Sequence, residues 1–132
     1  MKKIIHIDDD ASDAEFLQRA LRKNRINYPV DWYSDPIAAL DYLFSEETPL
    51  DHLPDLTFLD INLHLMDGFE VLTQIRGSLK TADLKIVMLS TSDEEKVIKK
   101  SYECGANHYI QKSTDTDKFN NAILNAVKKF IE

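Results

Sequence analysis

The 132-residue chain has a single cysteine, Cys104, so no disulfide framework within it can carry its stability. A lone thiol suits a reducing compartment, and the expected location is the cytoplasm. Three glycines and four prolines exclude collagen-like and low-complexity architectures and leave few interruptions of regular structure. No apolar run approaches the roughly 20 residues needed to cross a bilayer. The start, Lys2-Lys3, runs straight into an apolar stretch rather than a secretory leader. No membrane partner is therefore expected. Positive charge is scarce as well: 16 Lys and Arg face 23 Asp and Glu, a net charge of −7. Such a surface repels phosphate backbones, which disfavours direct nucleic-acid binding and leaves proteins or small cations as partners.

What remains is ordinary for a globular protein, 43% hydrophobic and 30% charged residues. The length suits one domain, residues 1–132, with a core of its own. Short apolar runs predict strands over residues 3–8, 30–34, 55–60, 85–90 and 108–111. Amphipathic segments fill the gaps. Ser12 with Glu15 reads as a capping box ahead of Ala14, Leu17 and Leu21. Asp35 before Pro36 marks a second helix start. Asp67 with Glu70 opens a third helix through Leu72, Ile75 and Leu79, and Ser92 with Glu95 opens a fourth. The last helix has Phe119, Ala122, Ile123, Ala126, Val127 and Phe130 at helical spacing. Residues 45–54 form a long loop. Strands alternating with helices predict an α/β fold, a doubly wound parallel sheet with helices on both faces. Several strands are near-continuous Val, Ile and Leu, as strands buried on both sides are.

Ligands of such sheets bind beyond the carboxyl ends of the strands. There the chain places Asp8, Asp9 and Asp10 after the first strand, and Asp60 and then Asn62 after the third. Ser90, Thr91 and Ser92 end the fourth strand, and Lys112 the fifth. Carboxylates about 4 Å apart repel by roughly 1 kcal/mol per pair in water and by several times more when partly buried. A hard divalent cation relieves that repulsion, and all-oxygen ligands favour Mg²⁺. An aspartate can also act as a nucleophile and accept a phosphoryl group as an acyl phosphate. Lys112 and a metal would then balance the charge on its oxygens, with Ser90 as a hydrogen-bond donor. His6, His52, His64 and His108 lack metal-ligand spacing, and Cys104 reads as a small buried side chain.

These residues resemble the receiver domain of response regulators over essentially the whole chain. The motifs are Asp8-Asp9, Leu59-Asp60-Ile61-Asn62-Leu63, Met66-Asp67-Gly68-Phe69-Glu70-Val71-Leu72, Ser90 after Val87-Met88-Leu89, Gly105-Ala106, and Lys112. The resemblance implies a flavodoxin-like sheet of five parallel strands in the order 2-1-3-4-5 with five helices. It implies that Asp60 accepts a phosphoryl group from a sensor histidine kinase or a phosphotransfer protein. Asp8, Asp9, Asp60 and the main-chain carbonyl of Asn62 would hold Mg²⁺ or Mn²⁺. Ser90 and Tyr109 would form the switch pair that reshapes the face of helix four, strand five and helix five. That face would meet a downstream protein target, and it also allows a homodimer. With no output segment after Glu132, the signal is expected to leave through protein contacts.

Two positions depart from the family pattern. His64 and Ser113 stand where proline is usual, and the second change leaves the Lys112–Ser113 peptide without the usual reason to be cis. Two other readings compete. A haloacid-dehalogenase-type phosphatase also uses an aspartyl nucleophile, but it requires an acid two residues later, where this chain has Asn62. A binding module independent of phosphorylation would keep the fold without the switch.

Overall fold

The computed structural model describes residues 2–132. Its elements alternate: β1 (Ile4–Ile7), α1 (Ala11–Lys23), β2 (Val30–Tyr33), α2 (Pro36–Phe44), β3 (Leu56–Asp60), α3 (Gly68–Arg76), β4 (Ile86–Ser90), α4 (Glu95–Glu103), β5 (His108–Gln111) and α5 (Thr116–Phe130). The five strands are all parallel, in the order β2-β1-β3-β4-β5. Each predicted strand is present to within one residue at either end. β1, β3 and β4 are buried along their full length, which is why they carry runs rather than an alternation.

The sheet divides the core in two. On one face Ile5, Ile7, Leu59 and Met88 pack against Ala39, Leu40 and Leu43 of α2 and Val71, Leu72 and Ile75 of α3. On the other, Ile4, Phe58, Val87 and Ile110 meet Leu17 and Leu21 of α1 and Phe119, Ile123, Ala126 and Val127 of α5. The predicted α5 stripe is this second layer. α4 is held more lightly, with Ser101 its one fully buried residue and Val97 and Ile98 only half-buried.

Several helix boundaries differ from expectation. α1 is capped by Asp10, not Ser12; the Asp10 carboxylate accepts from the Ser12 amide (2.8 Å) and the Asp13 amide (3.4 Å). A carboxylate there also meets the positive end of the helix dipole. α3 stops at Arg76 with Gly77 as its cap, so Leu79 lies outside the helix and is fully exposed. Glu94, not Ser92, precedes α4, and Ser92 Oγ accepts from the Glu94 amide (3.1 Å) in a local turn. Asp67 caps α3 as expected, accepting from the Glu70 amide. Cys104, expected to be buried, is half-buried at the end of α4.

At the end of the sheet away from the acidic residues, Arg76 closes the structure. Its guanidinium donates to the carbonyls of Gly105 (2.9 Å), Ala82 (3.0 Å) and Leu84 (2.7 Å) and to Asn107 Oδ1 (2.8 Å). Asn107 Oδ1 also accepts from the Ile86 amide at 2.8 Å. Gly105 has φ +109°, and a Cβ there would come within 3.0 Å of the Arg76 side chain. The long 45–54 loop is fastened by Lys80, whose ammonium donates to the carbonyls of Ser45 and Thr48 at 2.7 Å. No helix among the described residues is long and apolar enough to cross a membrane.

Candidate functional site

The acidic turn after β1 contains three different environments. Asp8 is completely buried, while Asp9 and Asp10 are exposed. Asp10 spends its carboxylate on the cap of α1, leaving Asp8 and Asp9 free to face the sheet end. β1 and β3 run side by side with Ile7 opposite Leu59, so Asp8 and Asp60 emerge at the same level. One oxygen each from Asp8, Asp9 and Asp60 lies within 4.8 Å of the other two. The set is oxygen-only and carries more negative charge than the single nearby ammonium can balance. It therefore fits a hard divalent cation.

That ammonium is Lys112, just past the end of β5. Its Nζ lies 3.2 Å from Asp8 Oδ2, 3.3 Å from Asp60 Oδ2 and 2.7 Å from Asp13 Oδ2. Burial opposes its charge, but the hydrogen bond to Asp13 and the carboxylates of Asp60 and Asp8 together raise its pKa. Asp13 was absent from the sequence-derived site, yet it makes the shortest of these contacts. Because Lys112 is shared, it cannot fully compensate Asp60. Burial first, and the neighbouring Asp8 charge second, push the Asp60 carboxyl up to about 6. Asp8 titrates in the other direction: burial works against its charge, but the His6 ring, the Asp10 amide and Lys112 hold it below the ordinary value.

The rest of the pocket is main chain. The Asn62 amide donates to Asp60 Oδ1 at 3.3 Å. The His64 amide donates to Asp9 Oδ2 at 2.9 Å. This bond gives the departure at position 64 a consequence, since a proline there has no N–H to offer. Leu65 follows with φ +73° and is 74% exposed. Gly68 opens α3 so close to the Asp60 carbonyl and the Ile61 Cα that a Cβ would overlap both. Its amide donates to the Ile61 carbonyl at 2.8 Å. Ser90 is buried at the end of β4, and its Oγ accepts from the Ser92 amide (3.1 Å). Tyr109 is buried, and its hydroxyl donates to the Ser92 carbonyl (2.6 Å). The Lys112–Ser113 peptide is trans, as are all peptides among the described residues.

The strand ends thus bring together Asp8, Asp9, Asp60 and Lys112, with Asn62 adjoining Asp60 and Ser90 closing β4. Residues 4–124 match the model of the response regulator receiver domain. The chain belongs to the receiver domain family of response regulators. Among the relatives of this receiver domain is the response regulator Rcp1 of Synechocystis sp., 32% identical over 113 residues, covering 85% of this chain and 77% of Rcp1. The crystal structure of the phosphorylated cyanobacterial phytochrome response regulator RcpA superposes with a TM-score of 0.88 at 31% identity, over 99% of this chain and 94% of that one. The Mn²⁺-bound form of Rcp1 superposes at 0.83 with 27% identity, over 99% and 94%. As a receiver domain the chain is a component of two-component signalling, a class of phosphoacceptor switches that work between a phosphodonor kinase and downstream targets. Its acidic cluster fits the divalent-metal binding of such domains.

Proposed function

We propose that residues 1–132 form one receiver unit in which Asp60 is phosphorylated by a histidine kinase or phosphotransfer protein, and that the acyl phosphate alters protein contacts. The observation that carries this is the charge arrangement at the sheet end: Asp60 abuts Asp8 and Asp9 while sharing one ammonium with Asp8 and Asp13. A carboxylate oxygen of Asp60 bonds to phosphorus as the P–N bond of the donor phosphohistidine breaks, and the released imidazole takes up a proton. Asp8, Asp9, Asp60 and the Asn62 carbonyl would hold Mg²⁺ or Mn²⁺, which when bound supplies positive charge to the phosphoryl oxygens. Lys112 leaves Asp13 for those oxygens and adds a second positive charge. The Ser90 hydroxyl donates to the same group.

The response leaves through α4, β5 and α5. Support comes from the light burial of α4 and from Tyr109, whose hydroxyl is tied to the turn between β4 and α4. A shift of Ser90 toward the phosphoryl group disturbs the Ser92 amide it now accepts from, and with it the Ser92 carbonyl that holds Tyr109. The reshaped face would meet a downstream protein or a second copy of the chain. The direct test is incubation with acetyl phosphate and Mg²⁺, followed by phosphate-affinity electrophoresis. The wild type should shift stoichiometrically and Asp60→Asn should not. An unshifted wild type, beside a control receiver that shifts, would favour a phosphorylation-independent binding module. Persistent labelling of Asp60→Asn would remove Asp60 as the acceptor. Asp9→Ala should weaken Mg²⁺ binding in a calorimetric titration.

A further inference from the structure

The chain has one tryptophan, Trp32, and it is placed oddly for a packing residue. It lies on the edge strand β2 with 40% of its surface exposed. Burial of the ring is therefore incomplete, while its one polar atom is fully engaged: the indole N–H donates to the main-chain carbonyl of Asp8 at 2.6 Å. Asp8 is the residue at which β1 ends and the acidic turn begins. Its own amide donates to the Tyr33 carbonyl at 3.1 Å. β2 thus grips the Asp8 residue at both ends, its N–H through a neighbouring carbonyl and its C=O through an indole. The Asp8 side chain is fixed as well, by the Asp10 amide on one oxygen and Lys112 on the other. The peptide that the indole holds is the one that joins Asp8 to Asp9, so its orientation sets the direction in which both carboxylates leave the chain.

We propose that Trp32 is a positioning residue of the metal site, acting through the Asp8 carbonyl to aim the Asp8 and Asp9 carboxylates at one ion. This rests on the reading of Asp8 and Asp9 as metal ligands. Groups that orient metal ligands from outside the coordination shell commonly matter about 10–100-fold for affinity. A tryptophan that only covers the edge of the sheet would influence stability and leave affinity alone. The N–H is what separates the two roles.

The test replaces the N–H and keeps the shape. Growth of a tryptophan auxotroph on the benzothiophene analogue of tryptophan puts sulfur in place of N–H at this single position; Trp32→Phe provides a genetically encoded partner. Calorimetric titration with Mg²⁺ and Mn²⁺ should give a roughly tenfold weaker affinity for both variants, with the thermal midpoint of the metal-free analogue protein lowered by no more than the few degrees that the loss of one hydrogen bond brings. The single indole N–H resonance of the wild type should also move during the Mg²⁺ titration, with the calorimetric midpoint. Equal affinities in the wild type and the analogue protein overturn the proposal, as does an indole resonance that ignores the ion. A wild type that binds neither ion overturns the metal site itself, and the role of Trp32 with it.

Discussion

Replacing Asp60 by asparagine should make the metal-free protein more stable at neutral and alkaline pH, although it removes a side chain central to the site. The Asp60 carboxyl titrates near 6 in the folded state against 3.8 for an ordinary aspartate, because it is buried and faces Asp8. The folded protein therefore binds this proton more tightly than the unfolded chain does. As pH rises from 3.8 through 6 the wild type loses that advantage, and above about pH 6 the full cost of the buried charge is present. A displacement of about two units, at about 1.4 kcal/mol each, is about 3 kcal/mol. For a chain of this size that is about 10 °C in the thermal midpoint. Urea unfolding of wild type and Asp60→Asn, with a chelator present, should show the variant ahead by about 3 kcal/mol at pH 8 and level with the wild type at pH 4. Saturating Mg²⁺ should narrow the gap at pH 8, since a ligand at 100 times its Kd adds about 2.7 kcal/mol to the form that binds it. A variant no more stable than the wild type at pH 8, or an advantage that persists undiminished at pH 4, refutes the reasoning.

Lys112→Met leaves Asp8 and Asp60 buried without their counter-charge, and should cost about 3–5 kcal/mol at pH 8 in urea unfolding. The cost should shrink at pH 5, where Asp60 takes up a proton; an equal cost at both pH values would sink the explanation. His64→Pro removes the amide that holds Asp9 and should weaken Mg²⁺ binding several-fold while lowering stability by about 1 kcal/mol; unchanged calorimetric affinity would show that this bond does not prepare the site. Leu65→Asn relieves a left-handed backbone at a branched residue and should stabilise the protein by about 1 kcal/mol. A lower urea midpoint for that variant would mean that the exposed Leu65 side chain makes a contact worth more than the strain.

The sheet and the charged pocket were legible because both follow from local sequence. β3 and β4 are apolar from end to end, and a carboxylate, serine or lysine directly after such a run has one place to go, the carboxyl edge. The helix starts were less legible. Ser12 with Glu15 satisfies the capping pattern, yet Asp10, two residues earlier, offers a charged acceptor to the Ser12 and Asp13 amides and starts the helix sooner. Leu79 kept the helical period, but Gly77 had already ended α3. The missed members of the site share one property: their roles depend on distant partners or on the main chain. Asp13 looks like any acidic residue in a first helical turn until Lys112, 99 positions away, is seen beside it. The His64 amide and the Trp32 indole act on groups that no side-chain pattern marks. The only available signal for His64 was the absence of a proline.

Arg76 binds three positions into one inheritance. Lysine at 76 has no fork and would strand several acceptors at once. A side chain at 105 would strain the φ +109° backbone and press within 3.0 Å of the Arg76 side chain, and a residue without a side-chain acceptor oxygen at 107 would orphan both one guanidinium N–H and the Ile86 amide. A change at any one of the three is therefore felt at the other two. Mutational libraries gain by sampling the three together rather than singly.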